Sequence, residues 1–156
     1  MIDPNINPYF ALGHAIAAHV ATVPGVHKGI YPPKDFVEAA ETPAAVVYFG
    51  SGSGDSVINM DMDGDENTHL PAAMISLMIP RTGNTEPEFG SVDELIWPIC
   101  KKFNDMTSVN AEPAFRDLGF HVDKIRIPRW RGARMYRYGD VRFYGADFYL
   151  DIKFHG

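Results

Sequence analysis

The sequence predicts an α+β fold: a mostly antiparallel β-sheet with two main helices packed on one face and extended hairpin loops. Three observations predict it. Two segments, 9–23 and 91–103, carry apolar residues at helical spacing, whereas the other apolar runs are short and β-prone. The C-terminal stretch alternates strictly, with Phe148, Leu150, Ile152 and Phe154 set against Tyr149, Asp151, Lys153 and His155, as a half-buried strand requires. The order is helix, several strands, helix, several strands. It lacks the regular strand–helix alternation of a parallel sheet and suits helices gathered on one face.

The first helix rests on Leu12, Ala15, Ile16, Val20 and Val23. Pro8 suits its first turn, with Asn7 as cap, and Pro24-Gly25 stops it. Residues 4–27 hold no Asp, Glu, Lys or Arg, yet no Lys or Arg precedes the apolar run, and His14 and His19 interrupt it. Neither a secretory signal nor a membrane-spanning helix is therefore expected. The two histidines stand five apart, off a common face, and read as ordinary helix residues. Residues 26–31 form a short strand ended by Pro32-Pro33, and 34–41 an acidic turn or short helix. Residues 44–49 are a compact β-prone run bounded by Gly50. In 56–62, Ile58, Met60 and Met62 alternate with Asn59, Asp61 and Asp63. Residues 72–79 are apolar almost throughout and closed by Pro80. The simplest arrangement pairs 56–62 with 72–79 as an antiparallel hairpin through an acidic loop.

The second helix carries a capping box, Ser91 with Glu94, followed by the apolar stripe Val92, Leu95, Ile96, Ile99, Cys100 and Phe103. Asp93 and Glu94 stand at its positive end and Lys101 and Lys102 at its negative end. Pro98 should kink or shorten it. A helical turn is expected over 112–118, ended by Gly119. Then come an imperfectly alternating strand at 122–128, an aromatic and arginine-rich stretch at 135–144, and the C-terminal strand. The segments 59–66 and 129–140 are read as loops or hairpin tips.

The 156 residues fit one domain spanning 1–156, with no repeat or low-complexity linker. Hydrophobic residues at 46% and charged residues at 22% exclude wholesale disorder. A single cysteine, Cys100, excludes an intrachain disulfide framework and any multi-thiolate zinc site. It lies on an apolar stripe and reads as a buried thiol, since nothing in the sequence supplies an activating base. The run Asn59-Met-Asp61-Met-Asp63-Gly64-Asp65-Glu66 imitates the opening of a calcium loop. Its twelfth position is Leu70 where a bidentate glutamate is needed, so it reads as a solvated hairpin tip. Gly50-Ser-Gly-Ser-Gly54 lacks the Lys-Ser/Thr ending of a phosphate loop. No catalytic constellation emerges, and no catalytic residue, cofactor or metal is expected.

Charge is unevenly placed. The net charge is −6. Residues 124–142 hold Lys124, Arg126, Arg129, Arg131, Arg134, Arg137 and Arg142 against Asp140 alone, a local +6, which leaves −12 on the remainder. Trp130, Tyr136 and Tyr138 lie in the same segment. Residues 35–66 carry eight acids and no Lys or Arg. Three readings compete: nucleic-acid contact, in which arginine meets phosphate and aromatics stack on bases; assembly, in which basic segments meet acidic segments on neighbouring copies; and a solvated, internally neutralised hairpin. Assembly is favoured, because two complementary patches suit a head-to-tail ring contact. The candidate interface residues are Arg126, Arg129, Trp130, Arg131, Arg134, Tyr136 and Arg137, with Asp61, Asp63, Asp65 and Glu66 as complements.

The chain resembles the tail terminator and related neck or tail-completion proteins of long-tailed bacteriophages. The resemblance is carried by the opening helix leading to Ala21-Thr-Val-Pro-Gly-Val26 and by the Thr42-Pro-Ala-Ala-Val-Val-Tyr-Phe49 strand. A hairpin, the helix at 91–103 and the terminal Asp147-Phe-Tyr-Leu-Asp-Ile-Lys-Phe154 strand complete it. It implies a homo-hexameric ring at the head-proximal end of the tail tube, which ends tube polymerisation and joins the tail to the head-neck connector. The implied partners are further copies of the chain, the tail tube protein and a head-completion or connector protein. DNA would pass through the lumen without sequence-specific contact, and no membrane is involved. The implied location is the virion neck or tail, with assembly in the host cytoplasm. The alternatives are another head-tail connector or head-completion protein, or a small nucleic-acid-binding module using residues 124–142.

Overall fold

The structure, a computed structural model, describes residues 8–34, 37–49, 58–60, 68–80, 85–138 and 141–155. The elements in chain order are helix α1 (Pro8–Val20), strands β1 (Lys28–Ile30), β2 (Ala44–Phe49), β3 (Ile58–Met60) and β4 (Thr68–Pro80), helices α2 (Thr85–Asn104), α3 (Met106–Ala111) and α4 (Pro113–Arg116), and strands β5 (His121–Tyr138) and β6 (Val141–His155). One six-stranded sheet runs β1-β2-β4-β6-β5, with β3 paired to β4 beyond the end of β2. Only the β1–β2 pair is parallel. The α+β prediction is met.

Both main helices pack on one face. Leu12, Ile16 and Val20 of α1, and Val92, Ile96, Ile99 and Phe103 of α2, close over Val47, Ile75, Leu77, Phe148, Leu150, Ile152 and Phe154. The alternation read in 148–154 is the cause: its even-numbered residues all enter this core. The opposite face has a smaller apolar cluster, Ile30, Val37, Ala44, Val46, Met78 and Phe143. β2 is therefore buried on both sides and reads as a continuous apolar run.

Helix α1 begins at Pro8, where a missing N–H costs nothing, and ends at Val20 instead of Val23; the chain turns through Gly25, whose φ of 98° favours glycine. Gly29 of β1 lies so close to the Ala17 carbonyl that no Cβ fits between strand and helix. The segment after β1 is clasped by Glu41, the last residue of a one-turn 3-10 helix (Ala39–Glu41). Its carboxylate accepts from Lys34 Nζ at 2.6 Å, Lys28 Nζ at 3.0 Å and the Glu38 backbone N–H at 3.0 Å. These contacts hold the carboxyl at a pKa of about 2, below its ordinary 4.5, with the Lys34 bond the largest cause.

Several expectations are corrected. Ser91 does not cap α2, which starts six residues earlier at Thr85, with Pro87 in its first turn, where no N–H is needed. The helix also runs through Pro98 to Asn104 without being shortened. Its buried stripe outweighs the one carbonyl left without a helical donor. Helix α3, capped by Asp105 accepting from the Thr107 N–H at 3.0 Å, was not anticipated. The hairpin pairing is real but displaced: β3 pairs with 69–71, because 73–78 of β4 are taken by β2. Most important, 129–138 are not a loop. They continue β5, which pairs along its length with a 15-residue β6. Asn7, the Gly50–Gly54 run and the acids Asp61, Asp63, Asp65 and Glu66 lie outside the described residues.

Candidate functional site

Strand β5 is the edge of the sheet, and it was misread because its register slips. One extra residue enters between Val122 and Lys124, another between Arg126 and Arg129, and a third between Arg131 and Arg134. Each bulge changes which face the following residues occupy. At the second, Asn104 of α2 substitutes for the interrupted ladder: the Ile127 N–H donates to its Oδ1 at 2.6 Å, and its Nδ2 donates to the Ile127 carbonyl at 3.1 Å. Pro128, which lacks an N–H, fits the same interruption.

The bulges sort β5 into two faces. Lys124, Arg126, Arg129 and Arg131 stand opposite Lys153, Asp151, Tyr149 and Asp147, every second residue of β6, on the face away from the helices. All four cationic side chains are exposed. The Arg126 guanidinium lies 3.7 Å from Asp151, and the Arg129 guanidinium sits 4.5 Å above the Tyr149 ring. Asp147 is buried, accepting from Ser76 Oγ at 2.8 Å, while Ser76 Oγ lies 2.8 Å from the Tyr48 hydroxyl. Because Ser76 gives its proton to the carboxylate, the Tyr48 hydroxyl is the donor in that second bond.

On the helix side of β5, Ile127, Pro128 and Trp130 meet Asp93, Ile96, Trp97, Cys100 and Asn104 of α2 around a groove of about 590 Å³. Trp97 is 73% exposed and Trp130 48%, among the largest apolar side chains left in water. Cys100 borders this groove but is buried, and burial pushes its thiol pKa up, so it is a poor nucleophile at neutral pH. Gly132, opposite the gap, lets Ala146 and Ile96 close beneath the strand.

The structure thus brings Arg126, Arg129 and Arg131 into one row and puts Trp130 on the other face. Arg134, Tyr136 and Arg137 continue β5, in register with Gly145, Phe143 and Arg142. Trp97 and Lys153 were missed as candidates. Trp97 could have been found as the large aromatic lying off the apolar stripe of an amphipathic helix. Lys153 required the strand register.

His19 is buried between Phe103 and Phe115. Its Nε2 donates to the Lys102 carbonyl at 3.1 Å, and its Nδ1 lies 3.4 Å from Glu112. Burial lowers its pKa against the opposing pull of those acceptors. It ties α1 to the last turn of α2 and to Glu112 and Phe115 beyond it. Among the described residues no group of three or more His, Cys, Asp or Glu could hold a metal, and no helix is long and apolar enough to cross a membrane. No protein-family model matches the chain, and no curated protein matches it.

Proposed function

We propose that the chain is a ring-forming virion structural protein that acts as a tail terminator of a long-tailed bacteriophage. Copies of it would close a ring at the head-proximal end of the tail tube, stop tube growth and dock the tail to a head-completion protein. Contact surfaces would do this work, with no bond chemistry. The observation that carries the reading is the Trp97–Trp130 groove on the helix side of the edge strand β5. Exposed tryptophans in a shallow apolar groove are what a subunit contact needs at its centre. The element order and the separation of basic from acidic segments support a head-to-tail arrangement. Three bulges, a proline and flanking charges guard β5 against open-ended strand addition, so contacts would form through its groove face and not its edge.

Native mass spectrometry, together with co-assembly with a tail tube protein, tests the proposal. A closed homo-oligomer, or monomers that form a ring on tube ends, is expected. Trp97→Ala with Trp130→Ala should weaken that assembly by about 2 kcal/mol or more. A strict monomer that never joins tube ends would refute the function.

A further inference from the structure

We propose that the outer row of β5 is a sequence-independent binding track for the phosphodiester backbone of a nucleic-acid strand. The inference rests on the row itself and not on any ring. Lys124, Arg126, Arg129 and Arg131 face every second residue of β6, so successive cations repeat at about 6.7 Å and the row extends for about 20 Å. Ordinary alternation would have split this set between the two faces; the one bulge inside it, between Arg126 and Arg129, brings it onto one.

The row is short of anions. Lys124 stands directly across from Lys153, a like-charge pair that costs stability in the bare protein. Neither lysine, nor Arg131, has an ion-pair partner among the described residues. Arg126 and Asp151 are 3.7 Å apart, and both are more than half exposed, so water screens the pair and the guanidinium remains available. The Arg129 guanidinium sits over the Tyr149 ring, a contact made through the face of its charged group that leaves its N–H fork to donate to phosphate oxygens. Asp147, the remaining acid of the face, is buried and bonded to Ser76.

Among the described residues around the row, the exposed side chains are charged apart from Tyr149, and the apolar groove lies on the other side of the strand. An acidic peptide would match this row only where its side-chain carboxylates happened to repeat at the same spacing. A phosphodiester chain needs no such coincidence, because charge neutralisation supplies its affinity and every unit carries the same charge.

Fluorescence anisotropy with a labelled oligothymidylate and with a short duplex tests the proposal on the full chain across a salt series. Neutralising four to five phosphates predicts that log K falls against log salt with a slope of about −3 on the single strand. Arg129→Gln with Arg131→Gln should flatten that slope by about 1.4 and weaken binding at low salt, and circular dichroism will verify that the fold is kept. Lys101→Gln on α2 should change neither. The arm that binds more tightly identifies the single strand or the duplex as the source of the phosphates. No binding to either at about 50 mM salt overturns the proposal, as does binding that the double arginine variant leaves intact. Displacement of the oligonucleotide by a peptide of residues 59–66, below the concentration at which the oligonucleotide itself binds, also overturns it and assigns the row to a protein partner.

Discussion

Replacing Glu41 with Gln should destabilise the protein by an amount that depends on pH in a defined way. In the folded chain the carboxyl ionises at about 2, against 4.5 for the free group. At about 1.4 kcal/mol per pKa unit, that difference amounts to at most about 3.5 kcal/mol of stability. Lys28 and Lys34 are 53% and 44% exposed, so water screens their share, and about 1–2 kcal/mol is the reasonable expectation. The sign follows from proton binding. Below pH 4.5 the unfolded chain takes up a proton that the folded chain refuses, so this stability is fully present above 4.5. It drains away as pH falls toward about 2. Urea denaturation of wild type and Glu41→Gln from neutral pH downward measures it: the curves should lie apart near neutrality and converge in acid. Added salt should shrink the gap only partly, because the Glu38 N–H bond is local. A gap constant with pH, or absent at neutral pH, would refute the reasoning.

Gly29→Ala should cost about 2–3 kcal/mol, because the new Cβ meets the backbone of Ala17, which cannot yield without moving α1; thermal melts will show it. Gly90→Ala, in the exposed interior of α2 with open space around it, should stabilise by about 0.5–1 kcal/mol in the same melts. Burial keeps His19 from taking a proton that the unfolded chain accepts below about 6.5, so stability should decline as pH falls from there. His19→Gln should flatten that limb of a stability-against-pH curve while lowering stability at neutral pH. Ser76→Ala takes the hydroxyl from buried Asp147 and should cost about 1–3 kcal/mol by chemical denaturation, and pairing it with Asp147→Asn should recover part of the loss.

What the sequence disclosed followed from how local each signal was. The C-terminal strand was legible because 148–154 alternate without a break and pair in simple register with β4. The 44–49 strand was equally plain, since both of its faces are buried. The helix stripe from Val92 to Phe103 was correct, yet its start was misplaced. A capping box is a local pattern, and Ser91 with Glu94 satisfies it inside a helix that Thr85 had already begun. The middle of β5 was read as a loop because Gly132, Pro128 and the lost alternation look like loop chemistry. Nothing local shows that Asn104, 23 residues upstream of Ile127, satisfies the displaced backbone. The candidate residues fared likewise. Their charge was visible, but the division between a tryptophan face and a cationic face depends on pairing with β6, and no single-strand pattern records it.

The bulges separate the length of β5 from the facing of its residues. Along an ordinary edge strand, one inserted or deleted residue throws everything beyond it onto the other face. Here, losing one residue between Arg126 and Arg129 would leave the even spacing that regular alternation needs, so the bulge would close while Arg129 stayed opposite Tyr149 and Trp130 stayed on the helix side. Relatives of this chain should therefore vary in length at the bulges and keep their residue count in the regular stretches between them.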